Sequence, residues 1–390
     1  MKKSSKMFLN SRDVFSSGRF SRTNLTVFAI TFAAIGGYII YSSFAAGFSA
    51  SIEAENSSKN SPAATVSDSG ASGGSALKFQ QPGNCPVSTP GELDGPDPWG
   101  GCWPGPLTTG VPAGTTLTTY TGPQTITAAN TVIDSKRIAE CLDIEAPGVI
   151  IKNSEISDGS NSDCTYVIHD SDGVGYPFPS NVTIQDSTIY CGTNPAIGGP
   201  GNAIGDSYIT LKRVDISACE NGGDLDQNID IEDSYTHDLW HDASSHTDGF
   251  QLAHDHRVNN QAPDVNGALN ITFNHNTIFG MHIGAVKGGP NADTEWETSA
   301  IIGGWFATNV NITKNLLAGG QYTIYCQSSS QGTGKYAGTS SVKDNHFSYW
   351  FGNGNFGRPT VGWFGASSDC ADENKSGNVY HETGDPYALE

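Results

Sequence analysis

The chain is short of charge. Acidic and basic side chains make up 15 % of its 390 residues, against roughly 25 % in an average soluble protein. Basic residues are the scarcer kind, 20 Lys and Arg against 40 Asp and Glu, for a formal net charge of −20. A basic nucleic-acid-binding surface is thereby excluded. Methionine occurs only 3 times. Gly, Ser, Thr and Asn fill the space instead; the 47 glycines are about 12 % of the chain, against roughly 7 % in ordinary proteins. This is material for turns and strands, and it rules out a long-helix or coiled-coil protein. The 8 cysteines contain no Cys-x-x-Cys pair, which argues against a zinc site of that kind.

Residues 1–46 read as a basic front plus a signal peptide or transmembrane anchor. Lys2, Lys3, Lys6, Arg12, Arg19 and Arg22 face a single acid, Asp13, and an apolar run follows from Leu25 to Ile40, extending weakly to Phe48. A basic front before an apolar stretch directs export with the N-terminus left inside. Cleavage after Ser43-Phe44-Ala45 and retention as an uncleaved anchor both remain open. In either case the rest of the chain is expected outside, secreted or on the cell surface. It carries 14 basic and 39 acidic residues, a charge of −25. In an exported chain an even cysteine count favours disulfides. The candidates are Cys85, Cys102, Cys141, Cys164, Cys191, Cys219, Cys326 and Cys370. Only Cys85 with Cys102 is suggested by proximity; the remaining connectivity is open.

Residues 47–84, rich in Ser, Ala and Gly, read as a flexible linker. Glu53-Ala54-Glu55 followed by Ser69 to Ser75 resembles the opening of a carbohydrate-binding β-sandwich module, but such a sandwich needs roughly 100 residues. Residues 85–130 read as a lead-in or cap. Beyond them an internal repeat dominates. An apolar residue, two polar positions, then Ser, Asn or Val, and two residues later another apolar or Thr position recur at Ile151–Ile156, Ile184–Ile189, Leu211–Ile216 and Ile231–Thr236. Further copies are Phe273–Ile278, Ile312–Leu317 and Val342–Phe347, with starts 33, 27, 20, 42, 39 and 30 residues apart. Each follows an alternating strand with one buried face. A strand–turn–strand unit that cannot bury its apolar face alone must stack on copies of itself, so residues 131–390 are expected to form a parallel β-helix. Asn276, Asn315 and Asn345 share one position and should hydrogen-bond along the axis.

Several runs also resemble a known family. They are Val132-Ile-Asp-Ser-Lys-Arg-Ile138, Pro147-Gly-Val-Ile-Ile-Lys-Asn-Ser-Glu-Ile156, Asp233-Ser-Tyr-Thr-His-Asp-Leu239, His246-Thr-Asp-Gly-Phe-Gln251, Asn315-Leu-Leu-Ala-Gly-Gly-Gln-Tyr-Thr-Ile-Tyr325 and Gly377-Asn-Val-Tyr380. Through them residues 131–383 resemble bacterial secreted proteins of the pectate-lyase-like superfamily. The resemblance implies an all-β, right-handed parallel β-helix. It also implies either a carbohydrate-active enzyme, a polysaccharide lyase or a glycoside hydrolase, or a non-catalytic surface protein.

Chemistry is expected where the repeat is most interrupted. Seven of the ten histidines fall between His237 and His282, together with Asp233, Asp238, Asp242, Asp248 and Asp255, and inserted loops tend to build the binding face of a solenoid. His246, Asp248, Lys287, His237 and Asp238 are the catalytic candidates; Gln251, Asp242, His241 and His282 are the substrate-binding ones. Phe250 and Leu252 should point inward and Gln251 outward, with His246 and Asp248 at the strand's entrance. β-Elimination needs a base, His246 or Lys287, and a cation at the substrate carboxylate, for which Asp-held Ca2+ would serve. Hydrolysis needs paired carboxylates, with Asp242 and Asp248 the first choices. The adjacent Asp pair and Gly-His-Gly of polygalacturonase-like proteins are absent, and the charge of −25 disfavours an anionic polymer without calcium. The expected partner is an extracellular polysaccharide bound by a monomer, with the membrane as a further partner if the N-terminal segment is uncleaved.

Three weaker patterns have plainer explanations. Asp224 to Asp230 looks like a calcium loop but has Ile229 and Tyr235 where Gly and Glu are needed; strand alternation explains it better. Asn181, Asn270 and Asn311 match a glycosylation pattern, which the repeat itself produces. Trp296, Trp305, Trp350, Trp363 and Tyr349 suit either sugar stacking or loop anchoring.

Overall fold

Ile133 pairs with Ile151, Ile151 with Ile184, Ile184 with Leu211, and so on through Ile231, Phe273, Ile312 and Val342 to Lys375. The sequence repeat is therefore the register of a parallel sheet. One further copy precedes the seven read from the sequence and one follows them. The structure, a computed structural model, describes residues 63–67, 75–79, 85–86, 93–159, 164–170, 181–191, 201–240, 246–252, 269–280, 298–302, 308–320, 323–327, 341–351, 361–364 and 374–387. Contacts divide the chain into Met1–Phe79 and Gln80–Glu390. Within the first unit, inside the stretch read as a linker, Ala63–Ser67 and Ser75–Phe79 pair antiparallel. The basic front and the apolar run lie outside the described residues. Among the described residues no helix is long and apolar enough to cross a membrane.

The second unit is an all-β solenoid. Each coil contributes one strand to each of three parallel sheets of nine, ten and nine strands. The first sheet runs from Val132–Asp134 to Asn374–Ser376, the second from Thr118–Thr119 to Val379–Tyr380, and the third from Thr125–Ile126 to Val361–Phe364. Stacking thus begins at Thr118, inside the stretch read as a lead-in. Inward columns of Ile, Val, Leu and Phe fill the tube, and Ile151, Ile156, Ile168, Ile184 and Ile189 are fully buried. Burying a side chain of this size contributes roughly 1.5–3 kcal/mol. β-Branched residues dominate because their stiff χ1 suits the pleated surface. Tyr120 and Tyr387 pack against the two ends of this core.

The turn from the first sheet to the second is the same in every coil. Its corner residue is left-handed, with φ between +48° and +57° at Ser135, Asn153, Asp186, Arg213, Asp233, His275, Lys314 and Asp344, and Gly377 closes the column. From Ser154 on, the next residue points inside and, except at Val214, carries the axial ladder. The amides of Asn276, Asn315, Asn345 and Asn378 are linked in series, each Nδ2 donating to the next Oδ1 at 3.0–3.1 Å. The backbone N–H of Asn276, Asn315 and Asn345 donates to the same oxygens at 2.8–3.0 Å. In earlier coils Ser154, Ser187 and Ser234 take the same place with shorter reach. The expected asparagine stack is therefore present and longer than the three residues that suggested it.

Residues 93–111 run along the outside of the second sheet, against the direction of coiling. Trp103, only 2 % exposed, stacks on His275 and meets His346 and His381 edge-on. Farther on, the N–H of Gly110 donates to the Arg213 carbonyl at 3.0 Å, and that of Val111 to Thr188 Oγ1 at 3.2 Å. Leu93 and Trp103, with Trp99, Trp350 and Phe351, cover the outward Tyr235, Phe279, Leu316 and Ala318 in a second apolar cluster. Among the described residues three disulfides form, Cys85–Cys102, Cys141–Cys164 and Cys191–Cys219. The first is the pair suggested by proximity, and all fit an oxidising compartment. Cys370 lies outside the described residues.

Candidate functional site

The turn between the first and second sheets has constant length, so the inserted residues all lie on the connections into and out of the third sheet. The outward column of that sheet reads Asp143, His169, Gly205, Asp224 and Gln251, paired strand to strand. Tyr166 belongs to this face. Its ring stacks on His169, with centroids 5.0 Å apart and planes within 10°, and its hydroxyl donates to Asp224 Oδ2 at 3.3 Å. Between these ends the ring crosses Gly205, where a β-carbon would sit 2.3 Å from Tyr166 Cδ1. His169 Nδ1 lies 3.4 Å from Asp143 Oδ1. The result is a stacked aromatic pair on the outward face, flanked by hydrogen-bonding carboxylates. None of Tyr166, His169, Asp143 and Asp224 was a sequence candidate.

Gln251 joins this column next to Asp224, and Phe250 and Leu252 point into the core, as their alternation implies. His246 is exposed at the strand's entrance. Asp248, also expected at that surface, is 1 % exposed. It is a rung in a second polar ladder. Asn221 Nδ2 donates to Asn202 Oδ1 at 2.7 Å, the N–H of Asp248 donates to Asn221 Oδ1 at 2.7 Å, and Ser299 Oγ donates to the Asp248 carboxylate.

His237 and Asp238 do not join Gln251. They lie at the end of a second-sheet strand, Tyr235–His237. His237 Nδ1 is 2.6 Å from Asp238 and Nε2 is 3.1 Å from Asp215, while the ring stacks on Tyr235 at 4.1 Å. Burial opposes its charge, but Asp215 and Asp238 outweigh burial and push its pKa up to about 9. A ring held this way is charged at neutral pH, the form that donates rather than accepts a proton. His275 is held in the same way between Asp233 at 2.7 Å and Asp97 at 3.1 Å, and its pKa too is pushed up to about 9. The described histidines of the cluster are therefore divided between two sheets. His241, Asp242, His282 and Lys287 lie outside the described residues, as do Trp296 and Trp305. Trp350 serves as an anchor in the outer cluster.

The third-sheet carboxylates do not fit a calcium cage. Asp143 and Asp224 stand three strands apart, roughly 14 Å at about 4.8 Å per strand, too far to share an ion. Among the described residues no group of three or more His, Cys, Asp or Glu is placed to hold a metal. Asp224 to Asp230 supplies parts of two strands, as alternation implies. No protein-family model matches the chain, and comparison with the curated proteins finds no match.

Proposed function

We propose that this chain is an exported protein, secreted or held at the cell surface, that binds a polysaccharide along the outward face of its third sheet. In this reading it is a right-handed parallel β-helix of the pectate-lyase-like kind. The observation that carries it is the Tyr166–His169 stack on the outward face, held against Gly205 with the Tyr166 hydroxyl on Asp224. An aromatic pair fixed in place with acceptors at its rim suits a sugar ring, whose C–H groups pack on aromatic carbon while its hydroxyls donate. The charge of −25 beyond the basic front favours a neutral glycan over an anionic one. The three disulfides support export.

Cleavage of the glycan is the second reading. Tyr166, His169, Asp143 and Asp224 bring acid–base groups to the same face. The spacing of Asp143 and Asp224 exceeds the roughly 5–9.5 Å that paired-carboxylate hydrolysis uses, which argues against hydrolysis by this pair. A glycan panel incubated with the full chain, with and without a chelator, separates the readings. Retention without product supports a binding protein. New ultraviolet absorbance marks elimination, and new reducing ends without it mark hydrolysis. Neither retention nor product from any glycan overturns both.

A further inference from the structure

We propose that His346 and His381 chelate a first-row transition-metal ion, Cu(II) or Zn(II), through their two Nδ1 atoms. These atoms face each other 3.3 Å apart, with ring centroids 5.4 Å apart. Two imidazole nitrogens on a tetrahedral ion, each at about 2.0–2.1 Å, are separated by roughly 3.3 Å. The distance therefore matches that of a chelating pair. Among the described residues the only side-chain hydrogen bond of either ring is to the other. This separates them from His237 and His275, each locked as a cation between two carboxylates.

The surroundings suit a metal ion. Imidazole ligates through a neutral ring nitrogen. Each ring would bind as its Nε2–H tautomer. The proton now between the Nδ1 atoms moves to Nε2 through solvent, and no net proton is released. Asp97 and Glu382 supply negative potential at the two rings, which offsets the ion's charge. Trp103 stands over both rings, its centroid 5.1 Å from His346 and 5.9 Å from His381, and Trp99 lies 5.9 Å from His346. Water would complete the shell. Imidazole donors select Cu and Zn over Mg or Ca.

Cu(II) added to the full chain tests the site. Tryptophan emission should fall saturably with one ion per chain, because Trp103 and Trp99 are within contact range of the ion. Electron paramagnetic resonance should show coupling to two imidazole nitrogens. His346→Gln and His381→Gln should each raise the half-saturation concentration roughly tenfold or more, while His246→Gln, on the other sheet, leaves it unchanged. Trp103→Phe should keep the resonance signal and lose most of the quenching. If either His variant misfolds, the resonance spectrum of the unaltered chain decides. A spectrum without imidazole coupling, or quenching that survives both His substitutions, overturns the proposal and leaves the pair as a hydrogen bond only.

Discussion

The ring of Tyr166 occupies the space that a side chain at Gly205 would need: a β-carbon there would lie 2.3–2.6 Å from three ring carbons. The glycine is what lets the tyrosine reach from the strand Tyr166–Asp170 across Asn202–Asp206 to Asp224. Gly205→Ala should therefore lift the ring off the sheet and destabilise the protein by about 1–3 kcal/mol, the usual cost of overpacking. Urea denaturation measures the loss. A change in near-ultraviolet circular dichroism reports the displaced tyrosine, and an unchanged spectrum would show that the ring does not rest there.

The amide of Asn315 holds two coils at once. It accepts from the backbone N–H and Nδ2 of Asn276 and donates to Asn345 and to the Phe273 carbonyl, all in the interior. Asn315→Ala leaves buried backbone groups unpaired at about 1–3 kcal/mol each, a loss of roughly 3 kcal/mol in all. Asn309→Ala, in the exposed ladder that joins Asn228, Asn270 and Asn309, should cost about 0.5 kcal/mol or less. Equal losses would contradict the assignment of the load to the buried ladder.

Stability should fall on both sides of a near-neutral maximum. His237 and His275 have folded pKa values of about 9, above the ordinary 6.5. Their contribution is complete below about pH 6.5 and is lost as pH rises through about 9. His346 has the opposite sign. Its folded value of about 4 favours the folded state above pH 6.5, and that benefit is lost as pH falls toward 4. Asp97 adds to the acid limb. Burial raises its pKa, but His275 and the N–H groups of Gly101 and Trp99 outweigh burial and lower it. Thermal melts from pH 4 to 10 should show this profile, and His275→Gln should flatten the alkaline limb. An alkaline limb unchanged in both His275→Gln and His237→Gln would contradict it.

Cys85–Cys102 secures the segment that carries Trp99 and Trp103. Closing its loop, a sequence separation of 17, is worth about 3 kcal/mol on the chain-entropy estimate. Cys85→Ser should shift tryptophan emission to the red as Trp103 leaves its site against His275, His346 and His381, while far-ultraviolet dichroism keeps its β signature. Unshifted emission would mean that contacts alone hold the segment.

The parts of this fold legible in the sequence are those set by local pattern. The corner between the first and second sheets has one length and one residue logic, so Ile151, Asn276 and their counterparts announce it. The third sheet does not. Three of its strands contain two successive buried residues, Val167-Ile168, Ala203-Ile204 and Ala300-Ile301, so strict alternation fails along the candidate face. Tyr166 and Asp224 meet across 58 residues, and Asp97 meets His275 across 178; neither distance leaves a local trace. Asp248 drew notice as a polar residue at a strand's start, yet the same position serves an axial ladder. His237 drew notice as one of a cluster, yet chain proximity says nothing about which of two sheets a residue faces.

Binding of a neutral glycan retained by the full chain, followed by titration calorimetry, decides whether the third sheet's outer face is a sugar site. Tyr166→Ala should weaken binding about tenfold, near 1.4 kcal/mol, and Asp224→Asn should weaken it less, while both variants keep the far-ultraviolet spectrum of the parent. Unchanged affinity in a folded Tyr166→Ala protein would place the glycan elsewhere and remove the basis of the proposed function.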